Sequence, residues 1–258
     1  MVKTDMKVAI TLYNFRDYCL NDEDFSRTLD RLAEIGYRYI QVSAVKLPPE
    51  LIRKRLDERG LKCVACHDSL ELIKDAPKLA DRLDILGCDY TALGSAPVSM
   101  HTPAGFSDLA ATMNRQGEAL LARGKRLGYH NHRFEFDRKG TDKTMLRRFF
   151  DETDPRFVAS ELDVYWVASG GGSPARWIRD LKGRIPVIHF KDFTVVQDAQ
   201  CYCEIGEGNL DWEEILAACR ESGVGCCSVE LDNPFMDHDI FDSARISFNN
   251  LKAMGVGD

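Results

Sequence analysis

Apolar positions recur along this chain at two rhythms. In NDEDFSRTLDRLAEIG, residues 21–36, Phe25, Leu29, Leu32 and Ile35 stand three and four residues apart among charged neighbours. That is the spacing of one helix face, and Asn21 or Asp22 is placed to cap it. Similar amphipathic stretches lie near 48–59, 71–86, 106–125, 143–152, 174–182, 211–222 and 239–253, which makes eight predicted helices. Between them run short apolar segments that read as eight strands, at 7–12, 38–43, 62–67, 89–94, 127–134, 157–163, 185–191 and 226–231. Glycine marks several returns from helix to strand, as in LAEIGYRYIQVSA (Gly36), LDERGLKCVACH (Gly60), LDILGCDYTALGS (Gly87), GKRLGYHNHRF (Gly128) and CRESGVGCCSVEL (Gly223). A left-handed cap there stops a helix and turns the chain back. Strict alternation of strand and helix implies parallel strands with right-handed crossovers, and eight units suit a closed (β/α)8 TIM barrel. The expectation is one α/β barrel domain over residues 1–258, with 1–6 as a short tail. An open doubly wound sheet is the alternative, but no Gly-rich phosphate loop follows the first strand.

In such barrels chemistry sits at the C-terminal rim of the strands. The predicted strand ends carry reactive side chains: His67 on the third, His130 and His132 on the fifth, Asp163 on the sixth, His189, Lys191 and Asp192 on the seventh, and Glu230 on the eighth. Alternation puts His130 with His132, Glu161 with Asp163, His189 with Lys191 and Ser228 with Glu230 on shared strand faces. Carboxylates and imidazoles together form a borderline-hard ligand set that suits Mn2+, Zn2+, Co2+ or Fe2+.

Composition narrows the partners. A net charge of −7, scattered rather than blocked, disfavours nucleic acid and anionic membranes. Nine cysteines and an N-terminus without a signal-peptide layout or membrane span lead to the expectation of a cytoplasmic protein with reduced thiols. Cys201 and Cys203 form a C-x-C without a second pair at zinc-finger spacing, so loop or core thiols are the favoured reading.

The segments YHNHRFEF, ELDVYWV, HFKDF, EIGEGNLDW and SVELD together resemble the motifs of the sugar-phosphate isomerase/epimerase-like proteins of the xylose isomerase-like barrel superfamily. Inositol-catabolism dehydratase and isomerase, hydroxypyruvate isomerase and AP endonucleases of the endonuclease IV type also belong there. The resemblance covers essentially the whole chain and is specific to the superfamily, not to one reaction. It implies that Asp163, His189 and Glu230 ligate a divalent metal, Mn2+ first. In many relatives the fourth ligand is a glutamate on strand five; the matching position here is His130, with Glu135 as the other candidate, and strand parity favours His130. His132 falls where some dehydratase relatives keep a catalytic histidine. Two departures stand out. Trp166 occupies the place of a further metal-binding histidine in endonuclease-type relatives, and Gln41 that of an acidic residue in several epimerases.

The resemblance implies a metal-dependent sugar isomerase or epimerase that abstracts a proton beside a carbonyl through an enediolate. His132, Glu135, Glu230 and Lys191 are the expected catalytic groups. His67, Trp166, Glu204 and Glu207 are the expected substrate contacts, with Phe134, Tyr165 and Phe190 as further aromatic walls. A keto-sugar dehydratase or lyase acting by β-elimination, for instance on 3-keto-glycosides or keto-inositol, is the alternative, and a catalytically silent sugar-binding barrel is a second. The expected partner is a small sugar or keto-sugar, with homo-oligomerisation left open.

Overall fold

The first seven strands of the structure, a computed structural model describing residues 5–233 and 238–257, are β1 (Lys7–Thr11), β2 (Tyr39–Val42), β3 (Lys62–Asp68), β4 (Tyr90–Leu93), β5 (Arg126–His130), β6 (Val158–Glu161) and β7 (Ile188–Phe190). A hairpin follows, β8 (Asp192–Val196) with β9 (Ala199–Cys203), and then β10 (Cys226–Val229). The strands other than the hairpin pair in parallel in the order β6-β5-β4-β3-β2-β1-β10-β7. The ring is joined between β6 and β7 by a lone bridge, Asp163 with His189, where His189 N donates to Leu162 O at 2.8 Å. The result is the predicted (β/α)8 barrel.

The helical layer comprises α1 (Asp22–Ile35), α2 (Pro49–Asp57), α3 (Leu70–Ile73), α4 (Ala76–Leu86), α5 (Pro103–Leu121), α6 (Met145–Glu152), α7 (Val164–Ser169), α8 (Pro174–Asp180), α9 (Trp212–Ser222) and α10 (Ile240–Ala253). Their apolar faces bury Phe25, Leu29, Leu32, Leu79, Leu83, Leu109 and others against the outside of the strands, which is the main core. Asn21 caps α1 through the Asp24 N–H, and Gly87 and Gly223 end α4 and α9 in the left-handed region, at φ 63° and 70°. A second, smaller apolar cluster, built on Ala9, Ala65, Ala92 and Ala159 with Tyr90 and Val187, occupies the barrel interior.

Four local expectations change, the first being Gly128, which lies inside β5 while Gly124, at φ 71°, makes the left-handed turn before that strand. The fifth strand stops at His130 rather than reaching residue 134, because the Glu135 carboxylate folds back onto the His132 N–H at 2.8 Å and draws Phe134–Phe136 into a 3-10 turn. The helix expected over 71–86 breaks into α3 and α4 where Asp75 caps a new start and Pro77 enters its first turn. The β8–β9 hairpin was not anticipated. Its signal was present in the β-branched run before Gln197 and Asp198, which hold φ of 49° and 65° in the two-residue turn.

Candidate active site

At the C-terminal ends of the strands the interior turns polar. Glu161, at the end of β6, is fully buried and both of its oxygens are engaged. Oε1 accepts from Gln41 Nε2 at 3.0 Å and Oε2 meets His67 Nε2 at 2.5 Å. His189 Nε2 and His130 Nδ1 stand 3.6 and 3.8 Å from the same Oε2. Asp163 sits just beyond β6 and caps α7: Oδ1 accepts from Trp166 N at 3.0 Å, whereas Oδ2 is buried with no hydrogen-bond partner. Its own N–H donates to Asn131 Oδ1 at 3.1 Å, so the residue between the two histidines fixes the carboxylate's backbone. Glu230, beyond β10, lies 2.5 Å from His189 Nδ1 and accepts from Lys191 Nζ at 3.2 Å. Lys191 also donates to Asp232 at 2.5 Å, and its ammonium lies 4.8 Å from the Trp166 ring centre and 4.7 Å from that of Tyr202.

The environment separates the charge states of these groups. Burial pushes Asp163 up to about 7, against the pull of Lys191. Burial opposes the charge of Glu161, but His67 and His189 outweigh it and hold the carboxyl at about 2. Burial also opposes protonation of His189, yet Glu161 and Glu230 raise it to about 10. His130 is driven far below its ordinary value by burial and by neighbouring His189, and burial takes His132 down to about 4.

Two overlapping groups could hold a metal ion, each with ligand atoms mutually within 4.8 Å: His130, Asp163, His189 and Glu230, and His67, His130, Glu161 and His189. They share two histidines whose Nδ1 (His130) and Nε2 (His189) are buried without hydrogen-bond partners. The difference lies in the third group. Asp163 Oδ2 is free to bind, whereas Glu161 has both oxygens occupied by Gln41 and His67.

A cavity of about 640 Å³ opens over this cluster, lined in part by His67, His130, His132, Trp166, Glu230 and Asp232. That size suits a small ligand. Ala44, in the loop after β2, lines it with a φ of 60°, a strained value for a residue with a Cβ. His132 lies beyond the strand rather than on its face, with its ring centre 5.0 Å from that of His130, and its Nδ1 is buried without a hydrogen-bond partner.

Other expected residues are placed elsewhere. Glu135 is fully buried against Tyr129 Oη (2.6 Å) and His132 N, and burial raises it to about 8; it joins neither ligand group. Its acid pairs with local structure because the chain turns before it could project into the barrel. Glu204 accepts from Ser243 Oγ at 2.7 Å and pairs with His238, and Glu207 accepts from Asn250 Nδ2 at 2.8 Å. Neither lines the cavity, because the loop that carries them is drawn onto Asp192, whose carboxylate accepts from Gly206 N, Gly208 N, Leu210 N and Trp212 Nε1. Phe190 packs on Trp212 at 5.0 Å in the helical layer, whereas Trp166 does face the cavity. Glu161 and Asp232 were not singled out as site residues, although each lies two residues from one that was, Asp163 and Glu230.

Residues 29–247 match the xylose isomerase-like TIM barrel family, most of the chain. The chain belongs to that family. The sequence matches none of the curated proteins. Among solved structures, the family barrel superposes on a sugar phosphate isomerase/epimerase from Parabacteroides distasonis with a TM-score of 0.81 and 23% identity, over 98% of this chain and 95% of that one. A D-allulose 3-epimerase from Methylomonas sp., solved with D-allulose, gives 0.73 at 16% identity, covering 98% and 99%. A probable 3-DHS dehydratase from Bacillus anthracis gives 0.71 at 15%, covering 96% and 99%. At these identities the likeness is one of fold. Among the described residues no helix is long and apolar enough to cross a membrane.

Proposed function

We propose that this family member is a divalent-metal-dependent enzyme that removes a proton from carbon beside a carbonyl of a sugar or keto-sugar, as an isomerase or epimerase. One observation carries the reading. His130 Nδ1, His189 Nε2 and Asp163 Oδ2 are buried without hydrogen-bond partners, and these residues converge with Glu230 to within 4.8 Å. An orphaned buried polar atom costs about 1–3 kcal/mol, so a convergent set favours a site that something fills. Imidazoles with carboxylates fit Mn2+, with Zn2+, Co2+ and Fe2+ sharing the ligand preference.

A bound divalent ion would polarise the substrate carbonyl and stabilise charge developing on its oxygen. The chain supplies the rest. His132, which lines the cavity, takes the proton from carbon. Lys191 neutralises Glu230 and Asp232 from beneath the rim and fixes their orientation. Trp166 offers an aromatic wall to the C–H face of a sugar. β-Elimination from a keto-sugar is a second reading, favoured by the engagement of Glu230 with both His189 and Lys191. That leaves His132 to act alone, whereas epimerisation wants a second acid on the opposite side of the carbon.

Purified protein, its metal content and a panel of keto- and 3-keto-sugars in D2O followed by NMR test this reading. Asp163→Ala, His189→Ala and His130→Ala should lose bound divalent ion. His132→Ala should keep it and lose roughly 10²–10⁴-fold in turnover or proton exchange. Wild-type metal content in Asp163→Ala, with loss in Glu161→Gln and His67→Ala as well as in the shared His130→Ala and His189→Ala, would assign the ion to the other group and refute the ligand set. Loss of a leaving group rather than solvent exchange would select elimination.

A further inference from the structure

Away from that cluster, three free thiols meet on the outer side of the sheet: Cys63 and Cys66 of β3, and Cys88 between α4 and β4. In a regular strand, residues three apart face opposite sides. Here β3 is irregular. Ile40 pairs with Cys63 but Gln41 pairs with Ala65, so Val64 is an extra residue. Such a bulge re-aims side chains, and it turns Cys63 and Cys66 to the same face with their sulfurs 3.7 Å apart. The left-handed cap at Gly87 then delivers Cys88, whose N–H donates to Leu83 O at 2.9 Å. All three sulfurs lie within 4.8 Å of one another, and among the described residues no histidine or carboxylate joins the group.

A three-coordinate ion with metal–sulfur bonds of about 2.3 Å requires sulfur–sulfur separations of roughly 4.0 Å. The observed spacing needs an adjustment of less than ~1 Å to reach that. Thiolates select soft ions such as Cu(I), and the missing fourth ligand disfavours Zn2+, which takes four in structural sites. There is also a way in. Cys63 lines a cavity of about 840 Å³ at the N-terminal end of the barrel, remote from the candidate active site.

We propose that Cys63, Cys66 and Cys88 form a three-thiolate site for a soft monovalent cation, Cu(I), reached from the N-terminal mouth of the barrel and independent of the divalent centre. Binding displaces thiol protons and involves no change of oxidation state.

The test is an anaerobic titration of the reduced, chelator-treated protein with Cu(I) against bicinchoninate, followed by X-ray absorption. The expected result is one tightly held equivalent with three sulfur neighbours at about 2.3 Å. Binding should weaken at least ~100-fold in Cys63→Ala and Cys88→Ala, as thiolates dominate Cu(I) selection. It should persist in His189→Ala, which removes an imidazole from the other cluster, and in Cys219→Ala, a buried thiol elsewhere. Near-UV circular dichroism checks the fold of each variant, and the wild-type absorption spectrum decides even if a variant fails to fold. Nitrogen neighbours, no competition against bicinchoninate, or binding that survives both Cys63→Ala and Cys88→Ala would overturn the site. None of these results depends on whether the divalent centre exists.

Discussion

Lys191 is buried to zero exposure yet carries a charge, so replacing it by Met reads out how the site's electrostatics are balanced. Its Nζ pairs with Glu230 at 3.2 Å and Asp232 at 2.5 Å, both of them largely buried carboxylates. Met approximates the stem but takes the cation from Asp232 and leaves Glu230 with His189 alone. Breaking a buried ion pair in this way costs about 3–5 kcal/mol, which for a chain of this size is a drop of roughly 6–15 °C in Tm. The loss has a definite pH dependence. Burial opposes the charge on Glu230, but Lys191 and His189 outweigh it and hold its carboxyl well below the ordinary value. A depressed carboxyl contributes stability above its unfolded pKa, about 4.3, and loses it as pH falls through the folded value. Burial likewise opposes the charge on Lys191, and Glu230, Asp163 and Asp232 raise its pKa. A raised lysine contributes fully below its unfolded value of about 10.4 and fades above it. The gap between wild type and Lys191→Met should therefore be widest between about pH 5 and 10 and close in acid. Thermal melts in EDTA across that range measure it. A variant within about 2 °C of wild type at pH 7, or a gap that widens below pH 4, would refute the reasoning.

Gly117→Ala in α5 tests packing against propensity: alanine gains up to about 1 kcal/mol in an open helix, but here its Cβ would collide with the carbonyl oxygen of Phe157. A loss of about 1–3 kcal/mol by urea denaturation is expected, and a gain would show that the interface yields. Glu135→Gln tests the acid that burial raises to about 8. Because the folded value lies above the unfolded one, charging Glu135 destabilises wild type progressively between about pH 4.3 and 8, so the variant's relative stability should rise over that interval. A pH-independent difference in Tm would count against the raised value.

The periodicity of the chain was enough to determine the barrel, because each strand and helix is decided by local alternation and by which face is apolar. Strand candidates such as 62–67, 89–94 and 226–231 sit within a residue or two of β3, β4 and β10 for that reason. The convergence of Asp163, His189 and Glu230 was legible as well, since in a parallel barrel every strand end reaches the same rim. What parity could not supply was the geometry after a strand stops. His132 and Glu135 were assigned as though β5 continued, but a carboxylate that accepts the His132 N–H bends the chain, separating the two residues into a cavity wall and a buried local pair. Glu204 and Glu207 were expected as substrate contacts, and only Asp192 gathering their loop's N–H groups decides that they lie outside the cavity. Glu161 joined a second ligand group only because His67, 94 residues away in sequence, folds beside it with His130 and His189, and it is His67 and Gln41, the latter 120 residues away, that occupy its two oxygens. Local pattern fixes which face a side chain leaves from; which partner it meets is a property of distant segments brought together, and only the folded chain decides it.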